Sequence, residues 1–167
     1  MFRDIPYDTK IQQAINAISS NGAFLTVGHN GTKNTMTIGW ASIGFFWGKP
    51  IMTVAVRDSR YTYELIEKAA DFTVSIPFEA LQEALHFCGT KSGRDRDKFT
   101  ECGLTAQPGR RVNSPVIAEC DLHYECQIVF KTKMNPDLLA ESCQKWYPKK
   151  DYHTFYFGEI VACYERE

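Results

Sequence analysis

The stretch Ala118–Phe130 constrains the fold more than any other. Cys120, Leu122, Tyr124, Cys126, Ile128 and Phe130 fall on one parity, and Glu119, Asp121, His123, Glu125 and Gln127 on the other. A period of two sends successive side chains to opposite faces of a strand, so the pattern predicts a half-buried antiparallel strand with one wet face. Such a strand needs partners. Phe24–Val27, Asn34 to Phe46, Ile51–Val56, Phe72–Ile76 and His153 to about Tyr164 all read as strands. Asn30-Gly31 is a hairpin signal, because both residues tolerate positive φ, and Gly48-Lys49-Pro50 turns the chain again.

Helical periodicity fills the gaps. Ile11, Ala14, Ile15 and Ile18 keep the i, i+3, i+4, i+7 spacing of a buried helical face, with Asp8 or Thr9 as cap and Asn21-Gly22 as stop. Thr62 to about Ala69, Glu79–Phe87 and Arg96–Cys102 also read as helices, and Asn135-Pro136 opens one to about Gln144. Strands joined mostly by hairpins, without regular crossover helices, predict a mainly β fold: an antiparallel β-barrel with peripheral helices, not a doubly wound sheet.

The 167 residues suit one domain, expected to span 1–167. A folded chain of this size exposes about 8,400 Å². With 44% hydrophobic and 13% aromatic residues it is not a disordered chain. Nineteen basic against twenty acidic residues leave a net charge of −1, which argues against a nucleic-acid partner. No apolar run approaches the ~20 residues of a membrane span, and Met1-Phe2-Arg3-Asp4-Ile5-Pro6 does not read as a signal peptide. These features predict a cytoplasmic chain without membrane contact, its six cysteines reduced. No CxxC or HExxH spacing suggests a metal, and there is no GxSxG elbow, Walker A loop or strand-borne GxGxxG.

Two segments can hold a phosphate. Arg57-Asp58-Ser59-Arg60-Tyr61-Thr62 lies where a strand hands over to a helix, whose N-terminus offers unpaired N–H groups. Lys91-Ser92-Gly93-Arg94-Asp95-Arg96-Asp97-Lys98 places four basic residues in eight. The competing reading of either is a solvated loop. The third feature, Asn34 to Trp47, mixes small residues with large aromatics, and small residues on a strand let a flat ligand approach the backbone. A core strand with aromatic packing is its plainer reading.

Four motifs together resemble the flavin reductase-like, FMN-binding split-barrel family, nearest its flavoredoxin-like branch. They are Asn34-x-Met36-Thr37-Ile38-Gly39-Trp40, Arg57-x-Ser59-Arg60-Tyr61-Thr62, Cys88-Gly89-x-x-Ser92-Gly93-Arg94-Asp95-x-Asp97-Lys98-Phe99 and His153-x-Phe155-x-Phe157-Gly158-Glu159-Ile160-Val161. The resemblance runs from about Gly22 to Tyr164 and implies a Greek-key split barrel, a homodimer holding FMN near the subunit interface. It implies that Thr62 and nearby basic positions, Arg57, Arg60 and Lys98, hold the phosphate. It places Asn34, Thr37, Trp40, Ala41 and Ser42 along the flavin, and counts Thr35, Met36, Ser59, Tyr61 and Ser92 among the cofactor contacts.

The implied function is an oxidoreductase of the NAD(P)H:flavin reductase type, with NADH or NADPH as transient donor. The alternative is a flavoredoxin-like electron carrier that serves a redox protein partner without nicotinamide. His153 is the candidate for a direct role in the reaction. Here the sequence departs from the family, since many short-chain flavin reductases carry Gly-Asp-His where this chain has Asp151-Tyr152-His153. The segment Thr132 to Lys150 is long enough to remodel the rim of the site.

Overall fold

The computed structural model describes residues 1–167. In chain order the elements are β1 (Phe2–Asp4), α1 (Ile11–Ser20), β2 (Ala23–His29), β3 (Thr32–Ile38), β4 (Ala41–Phe46), β5 (Lys49–Arg57), α2 (Tyr61–Ile66), β6 (Asp71–Ile76), α3 (Gln82–Thr90), α4 (Lys98–Cys102), β7 (Ala106–Gln107), β8 (Val116–Ile117), β9 (Leu122–Lys133), α5 (Glu141–Gln144) and β10 (His153–Arg166). A 3-10 turn at Pro136–Leu138 precedes α5. No helix is long and apolar enough to cross a membrane.

The main sheet runs β3-β2-β6-β9-β10-β5-β4, with β1 added beside β10, and every pairing is antiparallel. β3 and β4 lie at opposite ends of this path, yet only Gly39 and Trp40 separate them in the chain. The sheet must therefore curl until its ends nearly meet, which makes a split barrel. Two hairpins have two-residue turns with both residues at positive φ, Asn30-Gly31 (48° and 78°) and Trp47-Gly48 (52° and 70°). That twist matches the twist of the flanking strands.

Alternation along the strands separates two cores. Leu25, Val27, Met52, Val54, Phe72, Val74, Leu122, Tyr124 and Tyr156 face the barrel interior, closed by Ala14, Ala17 and Ile18 of α1. Each fully buried side chain of this kind is worth about 1.5–3 kcal/mol. Phe24, of the opposite parity to Leu25, packs outside the barrel against Ala84, Leu85 and Cys88 of α3, Phe99 of α4 and Ile117. Four of the six cysteines, Cys88, Cys120, Cys126 and Cys163, are buried, and all six are free thiols. The strand β10 crosses Phe72 and Cys126 at Gly158, where a Cβ would overlap both side chains.

Four expectations need correction. The return strand expected over Asn34 to Phe46 is two strands broken at Gly39-Trp40, because that is where the chain crosses the seam of the barrel. The strand expected from Ala118 begins only at Leu122, and its expected wet face is wet only in part: His123 and Glu125 are fully buried, Glu119 and Asp121 are half-buried and Gln127 is exposed. Phe2 covers His123, and the Arg110-Arg111 loop covers Glu125 and donates both its amides to that carboxylate at 2.7 and 2.6 Å. The helix expected over 135–144 is a 3-10 turn and one short helical turn. Finally, α1 starts at Ile11 with no side-chain cap from Asp8 or Thr9, because a turn bonded within residues 6–11 leads into it.

Candidate functional site

β3, the end of β5, α2 and the loop after α3 converge on one end of the barrel. β3 and α2 are joined by the Asn34 carboxamide, which donates to the buried Thr62 hydroxyl at 2.8 Å. The loop after α3 presses Gly93 onto them: a Cβ there would overlap the Asn34 carboxamide and the Tyr61 ring. Beneath this contact lies a cavity of about 190 Å³ lined by Asn34, Met36, Ser59, Arg60, Tyr61, Thr62, Ser92, Gly93, Lys98 and Asp151, among others. A second cavity of about 160 Å³ adjoins it through Met36 and Arg60, and is bounded by Thr37, Trp40, Ala55, Arg57 and His153.

The charge around these cavities is unbalanced. Lys98 is 4% exposed, and its ammonium donates to the carbonyls of Thr35 and Cys88 at 2.9 and 2.8 Å. Arg60 donates to Gly89 O at 2.9 Å, and Arg57 to Asp151 O and Trp146 O at 2.5 and 3.1 Å. None of the three has a carboxylate within 4 Å, whereas Arg94 pairs with Glu64, Arg96 with Glu101 and Lys133 with Asp58. Burial is the largest influence on Lys98 and pulls its pKa down. A buried ammonium held only by carbonyls keeps one donor and a full charge for an arriving anion. The helix α2 is only six residues long, so these side chains, rather than a helix dipole, define the anion preference.

The segment between β9 and β10 packs against Trp40, Arg57 and His153, which line the second cavity, and contributes Asp151 to the first. Arg57 lies over the Tyr147 ring at 5.0 Å and the Trp40 ring at 5.9 Å while gripping the Trp146 and Asp151 carbonyls. Trp40 meets Trp146 edge-on at 5.6 Å and His153 at 5.0 Å. The Tyr147 hydroxyl lies 2.7 Å from His153 Nδ1. Burial first, and then the nearby Arg57 guanidinium, pull the His153 pKa down to about 4, so its ring is neutral at pH 7. Asp151 places its carboxylate on Ser59, accepting from the amide at 3.4 Å and the hydroxyl at 2.6 Å.

Of the residues singled out from sequence, Asn34, Met36, Ser59, Arg60, Tyr61, Thr62, Ser92 and Lys98 line the first cavity. Met36, Thr37, Trp40, Arg57, Arg60 and His153 line the second. Thr35, Ala41 and Ser42 line neither. Thr35 is fully buried and bonds to Thr26, and Ala41 and Ser42 sit on β4, paired with Val54 and Thr53. Trp146, Tyr147 and Asp151 were not foreseen. Only two aromatics and an acid shortly before His153 marked them in the sequence. Larger surface clefts lie elsewhere, about 530 Å³ near Arg110 and about 690 Å³ beside the Asn30-Gly31 turn, but the cations lining them are exposed.

Comparison with known proteins matches residues 15–167 to the model of the flavin reductase like domain. Uncharacterized proteins of Pyrococcus abyssi and Archaeoglobus fulgidus are 30% and 28% identical over 138 and 128 residues, 81% and 77% of this chain. This chain spans 67% and 63% of their respective lengths. Among solved structures, the flavoredoxin of Methanosarcina acetivorans superposes with a TM-score of 0.71 at 28% identity, over 88% of this chain and 69% of that one. The flavoredoxin of Desulfovibrio vulgaris (Miyazaki F) gives 0.69 at 28% identity over 88% and 70%. An FMN-binding domain of a flavin reductase-like enzyme from Shewanella baltica shares the fold at 19% identity, with a TM-score of 0.69 over 99% of this chain and 77% of that one.

Proposed function

The chain belongs to the flavin reductase-like domain family, and on that premise we propose that it is an FMN-dependent oxidoreductase of the NAD(P)H:flavin reductase type. The observation that carries this reading is the trio Arg57, Arg60 and Lys98: three cations without carboxylate partners, gathered around two joined cavities beside Trp40. The donor set suits a phosphate monoester next to a flat ring. Arg60, Lys98, Ser92 and the Thr62 hydroxyl would hold the phosphate of FMN. Met36, Thr37, Trp40 and Arg57 would border its ring. When bound, the flavin supplies the hydride and electron chemistry.

The chain's own residues bind, orient and exclude water. Asn34 accounts for the acceptor side of the Thr62 hydroxyl and so leaves its proton to donate. Trp40, backed by Trp146 and Tyr147, shields one side of the ring cavity. His153 is neutral and can orient a ligand, but it is not a proton source at pH 7. A homodimer is part of the proposal, because Phe45, Phe46 and Trp47 are more than half exposed and Phe46, Trp47, Phe130 and Phe157 form one aromatic face.

Titration with FMN and with riboflavin tests the assignment. Charge-assisted hydrogen bonds contribute about 1.5–3 kcal/mol each, so FMN is expected to bind at least ~10-fold tighter. Equal affinities would refute the phosphate site. Anaerobic mixing of the FMN-loaded protein with NADH and NADPH is then expected to bleach the flavin. The second reading, an electron carrier for a protein partner, draws on the two flavoredoxins at 28% identity. Bound FMN that neither nucleotide bleaches would establish it over the first.

A further inference from the structure

We infer that Tyr147 is a positioning residue that holds the His153 imidazole with its proton on Nε2, giving the ring cavity a fixed hydrogen-bond donor. The geometry comes first. Tyr147 is 8% and His153 6% exposed, and the phenol oxygen lies 2.7 Å from Nδ1 with the rings nearly perpendicular at 80°. A phenol proton and an imidazole N–H cannot share that line, so one group donates and the other accepts. The Tyr147 hydroxyl bonds to nothing else. If Nδ1 carried the proton, the phenol proton would be left inside the protein without an acceptor, a cost that buried polar groups avoid. The phenol therefore donates, Nδ1 accepts and the ring proton sits on Nε2.

The second half of the argument is where Nε2 goes. It has no partner within the protein, yet it is not among the buried side-chain polar atoms left without a hydrogen bond. His153 Nε2 is thus reachable, and His153 lines the cavity shared with Trp40, Arg57 and Arg60. A ligand against Trp40 meets a neutral N–H donor beside two guanidinium groups, a set that suits a carbonyl or ring-nitrogen acceptor. The charged groups facing the imidazole are Arg57 at the end of β5, Asp58 and Arg60 in the following loop, and Asp151 in the segment before β10. Arg57 also grips the Trp146 and Asp151 carbonyls on either side of Tyr147, which fixes the phenol in place.

What the donor is for rests on the flavin reading; the tautomer does not, and the two can fail separately. Long-range nitrogen–proton correlation spectra of the ligand-free chain, labelled with ¹⁵N-histidine and assigned with His153→Gln, read the protonation of each nitrogen. The expected pattern at pH 7 is a protonated Nε2 and a bare Nδ1 for His153. Tyr147→Phe is expected to give a mixture of the two tautomers and to move the His153 titration midpoint upward by at least half a pH unit. A proton on Nδ1 in the wild-type chain overturns the inference without recourse to any variant. So does a Tyr147→Phe spectrum identical to wild type in both tautomer and midpoint. Failure of the chain to bind FMN would instead remove the proposed function and leave the tautomer result intact.

Discussion

Lys98 and Arg60 carry the anion preference of the site through different surroundings. Lys98 is enclosed, with its ammonium on two carbonyls, while Arg60 is half-buried with one carbonyl partner. Arg60→Ala is expected to lower FMN affinity about tenfold, the value of one charge-assisted bond, with a melting temperature near wild type. Titration and a thermal melt on the same variant check both halves. His123 makes a prediction of another kind. It is fully buried between Phe2 and Tyr164, with Nδ1 3.0 Å from the Ser75 hydroxyl, and burial holds its pKa down to about 3. The folded chain therefore binds fewer protons than the unfolded one, whose histidine titrates near 6.5. Stability from this residue is fully present above about pH 6.5 and is lost as pH falls toward 3. Its slope is about 1.4 kcal/mol per pH unit once below the unfolded pKa. His123→Asn is expected to remove that slope between pH 6 and 4.5, whatever it does to absolute stability, as read by urea melts at each pH. His153 adds a slope of the same sign down to about 4.

At the scale of elements, the segment between β9 and β10 has the least regular structure and the largest influence on the site. Its sequence suggests a helix from the Asn135-Pro136 start, and the Asn135 side chain does accept from the Asp137 amide at 3.0 Å. The helix stops within one turn because the segment is mostly exposed and has no apolar face to dock; Tyr147 alone among residues 141–150 is buried. Without tertiary burial so short a helix is marginal. What anchors the segment is Arg57, and what it brings is Asp151, a carboxylate inside an otherwise cationic cavity. Asp151→Asn keeps an acceptor for Ser59 but removes the charge. It is expected to tighten FMN binding about three- to tenfold, in line with ~1 kcal/mol for a like charge several ångströms away near a surface. An unchanged affinity in the same titration would show that the carboxylate moves away when the ligand binds.

For the whole molecule, the curl of the sheet matters most. Because two residues join the ends of a seven-strand path, Trp40 sits at the seam, beside β3 and the end of β5. The whole chain exposes 8,795 Å², with an aromatic face at the β4–β5 hairpin. Trp47 occupies a left-handed position there, φ 52°, which a bulky residue adopts at some cost. Its ring packs against Phe46, Phe130 and Phe157 and completes the exposed aromatic face. In the proposed dimer, Trp47→Asn is expected to leave the monomer as stable or more so while shifting the assembly toward monomer. Light scattering across a micromolar dilution series, alongside a thermal melt, distinguishes this from simple unfolding.

The sequence by itself determined the strand and turn vocabulary, the first helix and most of the anion site. Those signals are local: a period of two, Asn-Gly in a hairpin, Arg57 to Thr62 and Ser92 to Lys98 as contiguous stretches. Tertiary structure alone decided which faces are dry and which cations are free. His123 and Glu125 read as solvent-facing until Phe2 and the Arg110-Arg111 loop cover them. Four basic residues between 91 and 98 look equivalent, yet Arg94 and Arg96 are neutralised by Glu64 and Glu101 while Lys98 turns inward. Tyr147 and Asp151 come to the site through Arg57, distant in sequence, which binds the Trp146 and Asp151 carbonyls and lies over the Tyr147 ring. Burial and charge pairing are sums over neighbours brought together by the fold, and no period along the chain encodes them.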